Sequence, residues 1–420
     1  LGLMYSNAQG VERNYPKAIE YYKRAAAQNN PTAFVNLGNM FLNGVGVTQN
    51  YEKAFEFYEL AAKLNDAAGL LCLGHAYANG YGVGRDYHKA RQYYEMSASQ
   101  NNSDALLKLG NLYFNGFGVE LDYQKAREYY EMAAKLRNSD ALLGLGVIYL
   151  KGYGTEKDYE KARQYLEVAS KLNNSIAMVK LGNMYANGIG VDRNYSTAKD
   201  YYLAAVRRSN DSKAILNLAL LYANGYGVDQ SYQKAKDYFE LAAKRKNSDA
   251  ILGLGLLYFY GHGVTQNYSK AKEYFEKAAE LDNDDAMVKC GILYANGFGV
   301  EKDYLKANEY FQKSAANHNS DALRLCANLS FNGDGVTQNY DCAKQCYEAS
   351  AQLENSNSMI SLGYMYQHGI GGNANFEKAK EYFEMAIKHN NPDGQIRLTN
   401  LIQKEPKVNL GIPKAMLTYE

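Results

Sequence analysis

One stretch decides the fold: Ser103-Asp104-Ala105-Leu106-Leu107-Lys108-Leu109-Gly110-Asn111-Leu112-Tyr113-Phe114-Asn115-Gly116-Phe117-Gly118-Val119-Glu120-Leu121-Asp122-Tyr123-Gln124-Lys125-Ala126-Arg127-Glu128-Tyr129-Tyr130-Glu131-Met132-Ala133-Ala134. Ala105, Leu109, Leu112 and Tyr113 recur at spacings of three and four, which predicts a first helix with Ser103 or Asp104 as its N-cap. Gly116 ends that helix, because glycine takes the left-handed conformation past a helix end without a Cβ penalty. Asp122 then caps a second helix. Its apolar stripe is Ala126, Tyr129, Tyr130, Ala133 and Ala134, opposite a face of Lys, Glu and Arg.

The same unit fills the chain. Leu-Gly recurs at Leu37-Gly38, Leu73-Gly74, Leu109-Gly110, Leu145-Gly146 and Leu181-Gly182, each 36 residues after the last. A step of 37 reaches Leu218-Ala219, reflecting one extra residue between Val206 and Ala214, and the step of 36 resumes through Leu254, Cys290, Cys326, Leu362 and Leu398. With Leu1 this makes twelve anchors, so the 420 residues spell about eleven copies of one helix-turn-helix unit. Length alone would suggest about two to three ordinary domains; the repeat leaves no room for them. Helices of roughly twelve residues are marginal in isolation, so the stripes must be buried by stacking. The fold expected is all-α, a right-handed α-α superhelix (solenoid), with first helices lining the concave side and second helices forming the outer wall. Gly110 in mid-helix costs about 1 kcal/mol relative to Ala, so its return in nearly every copy marks a close approach between helices. The solenoid is assigned to residues 1–403. Residues 404–420, with Pro406 and Pro413 and no helical stripe, are read as a non-repeat tail, either a cap or a linker.

Composition narrows the function. With 46 Lys+Arg against 45 Asp+Glu, the formal charge of +1 argues against nucleic acid and membrane surfaces as partners. No apolar run of eighteen residues appears, so no membrane insertion is expected in this segment. The opening Leu1-Gly2-Leu3-Met4-Tyr5 falls in mid-repeat, from which a missing N-terminal portion is expected. The 40 tyrosines mostly occupy four slots of the unit, as in Tyr113, Tyr123, Tyr129 and Tyr130.

The pattern Ala-x3-Leu-Gly-x2-Tyr-x2-Gly-x-Gly-Val-x2-Asp/Asn-Tyr-x-Lys-Ala-x2-Tyr-Tyr/Phe-x2-Ala-Ala resembles the Sel-one-like repeat, a relative of the tetratricopeptide repeat, over about Leu1 to Gln403. Tetratricopeptide units proper have 34 residues, a Trp position and a closing Pro; this chain has no Trp and a longer Gly-x-Gly loop. Pentatricopeptide-type RNA readers need a basic groove, which a +1 chain does not suggest. The resemblance implies a non-enzymatic adaptor for other proteins or extended peptide segments, as in membrane-protein degradation complexes, activation of cell-wall polysaccharide synthases, or bacterial secretion and host-interaction factors. It implies no cofactor. One cysteine-rich branch of the family is reported to bind penicillin-like compounds and carries a disulfide per repeat. Here Cys72, Cys290, Cys326, Cys342 and Cys346 form no regular pair, which excludes that framework and favours a reducing, cytoplasmic setting.

Two rows are candidate partner-binding sites. By analogy with tetratricopeptide grooves, the residue after the helix Gly and the one four further on face the concave side: Asn39 and Asn43, Asn111 and Asn115, Asn183 and Asn187, Asn328 and Asn332. An amide donates and accepts at once, so such a row suits an extended backbone. The second Asn of each pair, also present at Asn79, Asn224 and Asn296, is better explained as a cap at the helix end. The other row lies in the Gly-x-Gly loop: Tyr81, Phe117, Tyr153, Tyr226 and Phe298, with Val45, Ile189 and Ile370 in register and His262 and Asp334 interrupting. In the family that the unit resembles this site is often polar, so an apolar edge suggests docking. The structural alternative packs each ring back on the last helical turn, Phe117 over Tyr113 for instance. The Gly-x-Gly itself is turn punctuation, not a phosphate loop.

One copy breaks the pattern, with Cys326 for Leu, Ser330 for Tyr, Asp334 in the aromatic row, Cys342 and Cys346 one turn apart, and Arg324 at an otherwise apolar groove position. Buried free thiols are the simpler reading than zinc, because no histidine lies close in sequence except His318 and His368 in neighbouring copies. Arg324 joins the groove candidates. The six histidines occupy unrelated repeat positions, and no catalytic set stands out. The reading is therefore an adaptor that works through the groove or the aromatic loop edge. A structural component lying along a polymer or lattice, such as cell wall or cytoskeleton, is the alternative, and a small-ligand-binding solenoid the remaining one.

Overall fold

The computed structural model describes residues 1–403; the tail assigned to residues 404–420 lies outside them. It divides into two units. The first, Leu1–Asp211, holds α1 (Gly2–Asn7), α2 (Tyr15–Ala26), α3 (Pro31–Asn43), α4 (Tyr51–Lys63), α5 (Ala67–Asn79), α6 (Tyr87–Ala98), α7 (Ser103–Asn115), α8 (Tyr123–Lys135), α9 (Ser139–Lys151), α10 (Tyr159–Lys171), α11 (Ser175–Asn187) and α12 (Tyr195–Ser209). The second, from Ser212 onward, holds α13 (Ser212–Asn224), α14 (Tyr232–Ala243), α15 (Ser248–Tyr260), α16 (Tyr268–Ala279), α17 (Asp284–Asn296), α18 (Tyr304–Ala316), α19 (Ser320–Asn332), α20 (Tyr340–Gln352), α21 (Ser356–His368), α22 (Phe376–Lys388) and α23 (Pro392–Gln403). No strand occurs among the described residues. Within each unit, odd-numbered helix A packs on the helix B that follows it, and helix B on the next helix A, which is the one-dimensional stacking of a solenoid.

Local chemistry dictates each boundary. Helix B is capped as expected: Asp122 Oδ1 accepts from Lys125 N at 3.0 Å, and Asn50, Asp86, Asp158, Asp303 and Asn339 accept in the same way elsewhere. Helix A is not. Its cap is Asn102, whose Oδ1 accepts from Asp104 N at 3.0 Å and Ala105 N at 3.1 Å, so Ser103 and Asp104 lie inside the first turn. The cause sits one residue back: Asn101 is left-handed (φ 60°) and hands the chain to an extended Asn102.

That left-handed position recurs before each helix A from α3 to α23, in places on a residue ill suited to it: Arg137 (φ 60°), Lys246 (φ 57°) and Glu354 (φ 63°). The conformation costs an L-residue about 1 to 2 kcal/mol, part of which glycine gives back in chain entropy. Glu354→Gly is therefore expected to raise stability by about 0.5 kcal/mol. A urea midpoint that falls instead would refute it.

Gly116 (φ 69°) ends α7, its N–H donating to Leu112 O, and Gly118 (φ 65°) brings the loop against Tyr87 of α6, where a Cβ would come within 3.3 Å of the Tyr87 backbone. Within each unit the same contact recurs, as at Gly82 on Tyr51 and Gly299 on Tyr268, and seats the loop on the preceding helix B.

Candidate interaction surface

The core of each repeat is built on one juxtaposition. Gly110 has no side chain because the Tyr130 ring lies against it; a Cβ there would sit 2.5 Å from Tyr130 Cδ1 and Cε1. Tyr130 is 4% exposed, and its hydroxyl donates to Asn111 Oδ1 at 2.7 Å. Tyr58 donates likewise to Asn39 at 2.7 Å, Tyr202 to Asn183 at 2.7 Å and Tyr347 to Asn328 at 2.6 Å. Burial pushes the Tyr202 phenol up to about 12 and raises the other three as well.

Copies without this Asn mostly lack the hydroxyl too. Leu220 goes with Phe239, Leu256 with Phe275, Ile292 with Phe311, Tyr364 with Phe383, and Val147 with Leu166. A buried hydroxyl without a partner costs about 1 to 3 kcal/mol, so acceptor and phenol come and go together. Two copies are mixed: His75 goes with Tyr94, and Leu3 with Tyr22, which has Ser6 as its hydrogen-bond partner.

The groove asparagines thus have a task inside the fold. In Asn39 and Asn111, both half-buried, the oxygen is taken and the N–H2 is the group that a ligand would use. Asn183 is half-buried in the same way. Asn328 departs from the expectation: it is 1% exposed, enclosed with Tyr347, and does not present its amide to a groove. Arg324 is also mostly enclosed, its side chain 12% exposed and its Nε 3.6 Å from Asp321 Oδ1. The second asparagines close the helix end: Asn43, Asn79, Asn115, Asn187 and Asn224 donate to the carbonyl four residues back at 2.8 to 2.9 Å.

The loop row packs differently from either expectation. Phe117 stacks on Tyr87 of the preceding helix B (5.3 Å, 15°), not on Tyr113, which pairs with Tyr129 (5.7 Å, 11°). Tyr81 stacks on Tyr51 (5.0 Å), Tyr153 on Tyr123 (5.1 Å), Phe298 on Tyr268 (5.2 Å), and His262 on Tyr232 (4.8 Å). One face of each ring therefore joins repeats, while Phe117 and Tyr226 remain 48% and 46% exposed.

A third row was missed in the sequence. In several copies the cap of helix A also reaches back one repeat: Asn138 Nδ2 donates to Asp104 Oδ1 (2.8 Å), Asn174 to Asp140 (2.8 Å), Asn283 to Asp249 (2.8 Å), Asn319 to Asp285 (3.1 Å) and Asn355 to Asp321 (3.0 Å). The recurring Asn-Ser-Asp-Ala carried the signal.

Each unit has a hollow on its helix-A side. In the first, about 320 Å³ is bounded by Leu42, Leu71 and Leu107 together with Asn39, His75 and Lys108 among others, a mixed lining that carries more charge than that of the second. In the second, about 540 Å³ is bounded by Leu216, Leu220, Leu252, Leu256 and Tyr260 with Phe239 beneath, a mainly apolar one. Burial, and next the Lys108 charge, hold the His75 imidazole below its ordinary value. Folded His75 therefore binds fewer protons than unfolded His75. Its contribution to stability is complete above the unfolded pKa of about 6.5 and is lost as pH falls below that. His75→Asn, which supplies Tyr94 with the acceptor used elsewhere, is expected to lose less stability between pH 7 and pH 5 than the parent; equal losses in urea titrations would refute this.

The irregular copy contains three thiols. Cys326 is buried and pushed up to about 12, Cys346 to about 11, in both cases first by burial and then by neighbouring cysteines; Cys342 is exposed. All five cysteines are free. Among the described residues no group of three or more His, Cys, Asp or Glu is placed to hold a metal ion, and no helix is long and apolar enough to cross a membrane.

The family model described as Sel1 repeat matches residues 1–30, 35–66, 69–102, 103–138, 139–174, 175–210, 212–247, 248–283, 284–319, 320–355 and 356–391. Among solved structures, c5321 of uropathogenic Escherichia coli, a protective antigen displaying an SLR fold, is 27% identical with a TM-score of 0.69, covering 97% of this chain and 87% of that one. A Sel1 repeat protein from Oxalobacter formigenes is 29% identical with a TM-score of 0.54, covering 59% of this chain and 99% of its own. A comparison with curated proteins returns no match.

Proposed function

Because the chain belongs to the Sel1 repeat family, whose solenoids generally mediate protein–protein interactions, we propose that it is a non-enzymatic adaptor that holds segments of other proteins against the helix-A side of its units. The observation that carries this reading is the apolar hollow of the second unit. Leu216, Leu220, Leu252 and Leu256 line it, Leu220 is 42% exposed, and Tyr260 at its edge is 53% exposed. Leu252 and Leu256 pack in part on the core and turn the rest of their surface to the hollow, where it suits an apolar side chain from outside. In the first unit the N–H2 groups of Asn39 and Asn111 suit a peptide backbone, and the exposed faces of Phe117 there and of Tyr226 in the second unit offer the loop edge as a further contact.

Affinity capture with quantitative mass spectrometry tests the assignment. Leu220→Glu/Leu256→Glu is expected to lose partners that the parent retains, and Asn39→Ala/Asn111→Ala/Asn183→Ala to lose fewer. Full retention by the glutamate variant, with loss on changing Tyr81, Phe117 and Tyr153, would move the interface to the loop edge.

A further inference from the structure

The outer wall of the first unit carries an apolar row that its fold does not cover. Leu60 on α4, Met96 on α6, Met132 on α8 and Val168 on α10 occupy one repeat position, 36 residues apart, and are 39%, 47%, 48% and 45% exposed. One turn later Leu64 and Leu136 are each 43% exposed, with Leu172 half-buried in the same register. The second unit breaks the row: the same position reads Leu241, Lys277, Lys313, Ala349 and Met385. Lysine at two of these positions shows that core packing does not require an apolar residue there. Four in succession in the first unit therefore need another reason.

Charge frames the row on both sides. Toward the helix N-termini stand the exposed Glu56, Gln92, Glu128 and Gln164, and toward the C-termini the exposed Lys63, Lys135 and Lys171, with Ser99 in the same place on α6. The row thus runs across four helices between an acidic-polar edge and a basic edge. Each of these helices is joined to the next through the helix A between them, so the row repeats once per helix pair. We infer that this face docks an amphipathic helix of a partner protein, laid across α4, α6, α8 and α10, with an apolar seam along the row, acidic residues toward Lys63, Lys135 and Lys171, and basic residues toward Glu56 and Glu128. Exposed methionines suit such a seam, because an unbranched thioether adapts to the side chain it meets. This surface is separate from the helix-A hollows and does not depend on the reading given to them.

The test uses a labelled four-heptad peptide with leucine along the seam, glutamate on one edge and lysine on the other, titrated with the full chain in fluorescence anisotropy. Saturable one-to-one binding is expected. Met96→Lys/Met132→Lys, which copies the residue that the second unit carries, is expected to weaken it at least tenfold; Leu60→Lys/Val168→Lys should do the same, and Leu241→Lys should not. Circular dichroism of each variant should match the parent. Absence of saturable binding, binding by either double variant as tight as the parent's, or equal binding of a scrambled peptide would overturn the proposal. So would a surface occupied otherwise: capture of phosphatidylcholine–phosphatidylserine vesicles, or a dimer in light scattering, that the same substitutions abolish.

Discussion

Gly110→Leu is expected to destabilise the first unit by about 3 kcal/mol, at the upper end of what overpacking costs. The reason is the Tyr130 ring, whose edge atoms lie 2.5 Å from where even a Cβ would be placed. Relief requires the ring to leave, and with it the bond from its hydroxyl to Asn111. Two other copies set the scale for a smaller change: Ala219 and Ala327 occupy the same position, each 0% exposed, so one methyl group fits where the backbone has room for it. Gly110→Ala should accordingly cost about 1 kcal/mol. Equal urea midpoints for the leucine variant and the parent would show that Tyr130 does not pack as described.

Phe311→Ala is expected to cost about 3 to 5 kcal/mol, the range for removing a large enclosed ring. Phe311 is 0% exposed and packs with Val288, Leu325 and Leu329 from the helices on either side. Loss of the ring leaves a hole at a junction between repeats, and stability in a stacked array depends on such nearest-neighbour junctions. Calorimetry should therefore show an added early transition, and not only a lowered single one. A drop below about 1 kcal/mol would contradict the packing, because exposed substitutions reach no further than that.

The repeat made much of this legible in advance. A period of 36 announces the stacked helix pair, and Asp122 caps helix B just where the sequence placed it. The start of helix A was not recoverable from local preference, because Asn101, Asn102, Ser103 and Asp104 can all cap; the left-handed backbone at Asn101 decides among them. Nor was the seat of Phe117 recoverable, since Tyr87 lies 30 residues earlier and only the register of two stacked repeats brings them together. The partner of Asn111 was present in the sequence in another form. Asn goes with Tyr, and Leu or Ile with Phe, at positions 19 apart in most copies, with Leu3 and Tyr22 as an exception, a correlation that appears only when the two helices are aligned together. Read singly, the asparagines resembled a ligand-binding row.

That matched pair sets how polar the helix-A side is, and a double-mutant cycle on Asn111 and Tyr130 tests it most directly. Asn111→Leu leaves a buried phenol without its acceptor and is expected to cost about 1 to 3 kcal/mol, and Tyr130→Phe about 1 kcal/mol. The double variant recreates the Leu220 and Phe239 pair of another copy and should cost less than the sum of the two by at least about 1 kcal/mol. Single effects that add to within about 0.5 kcal/mol would contradict the pairing.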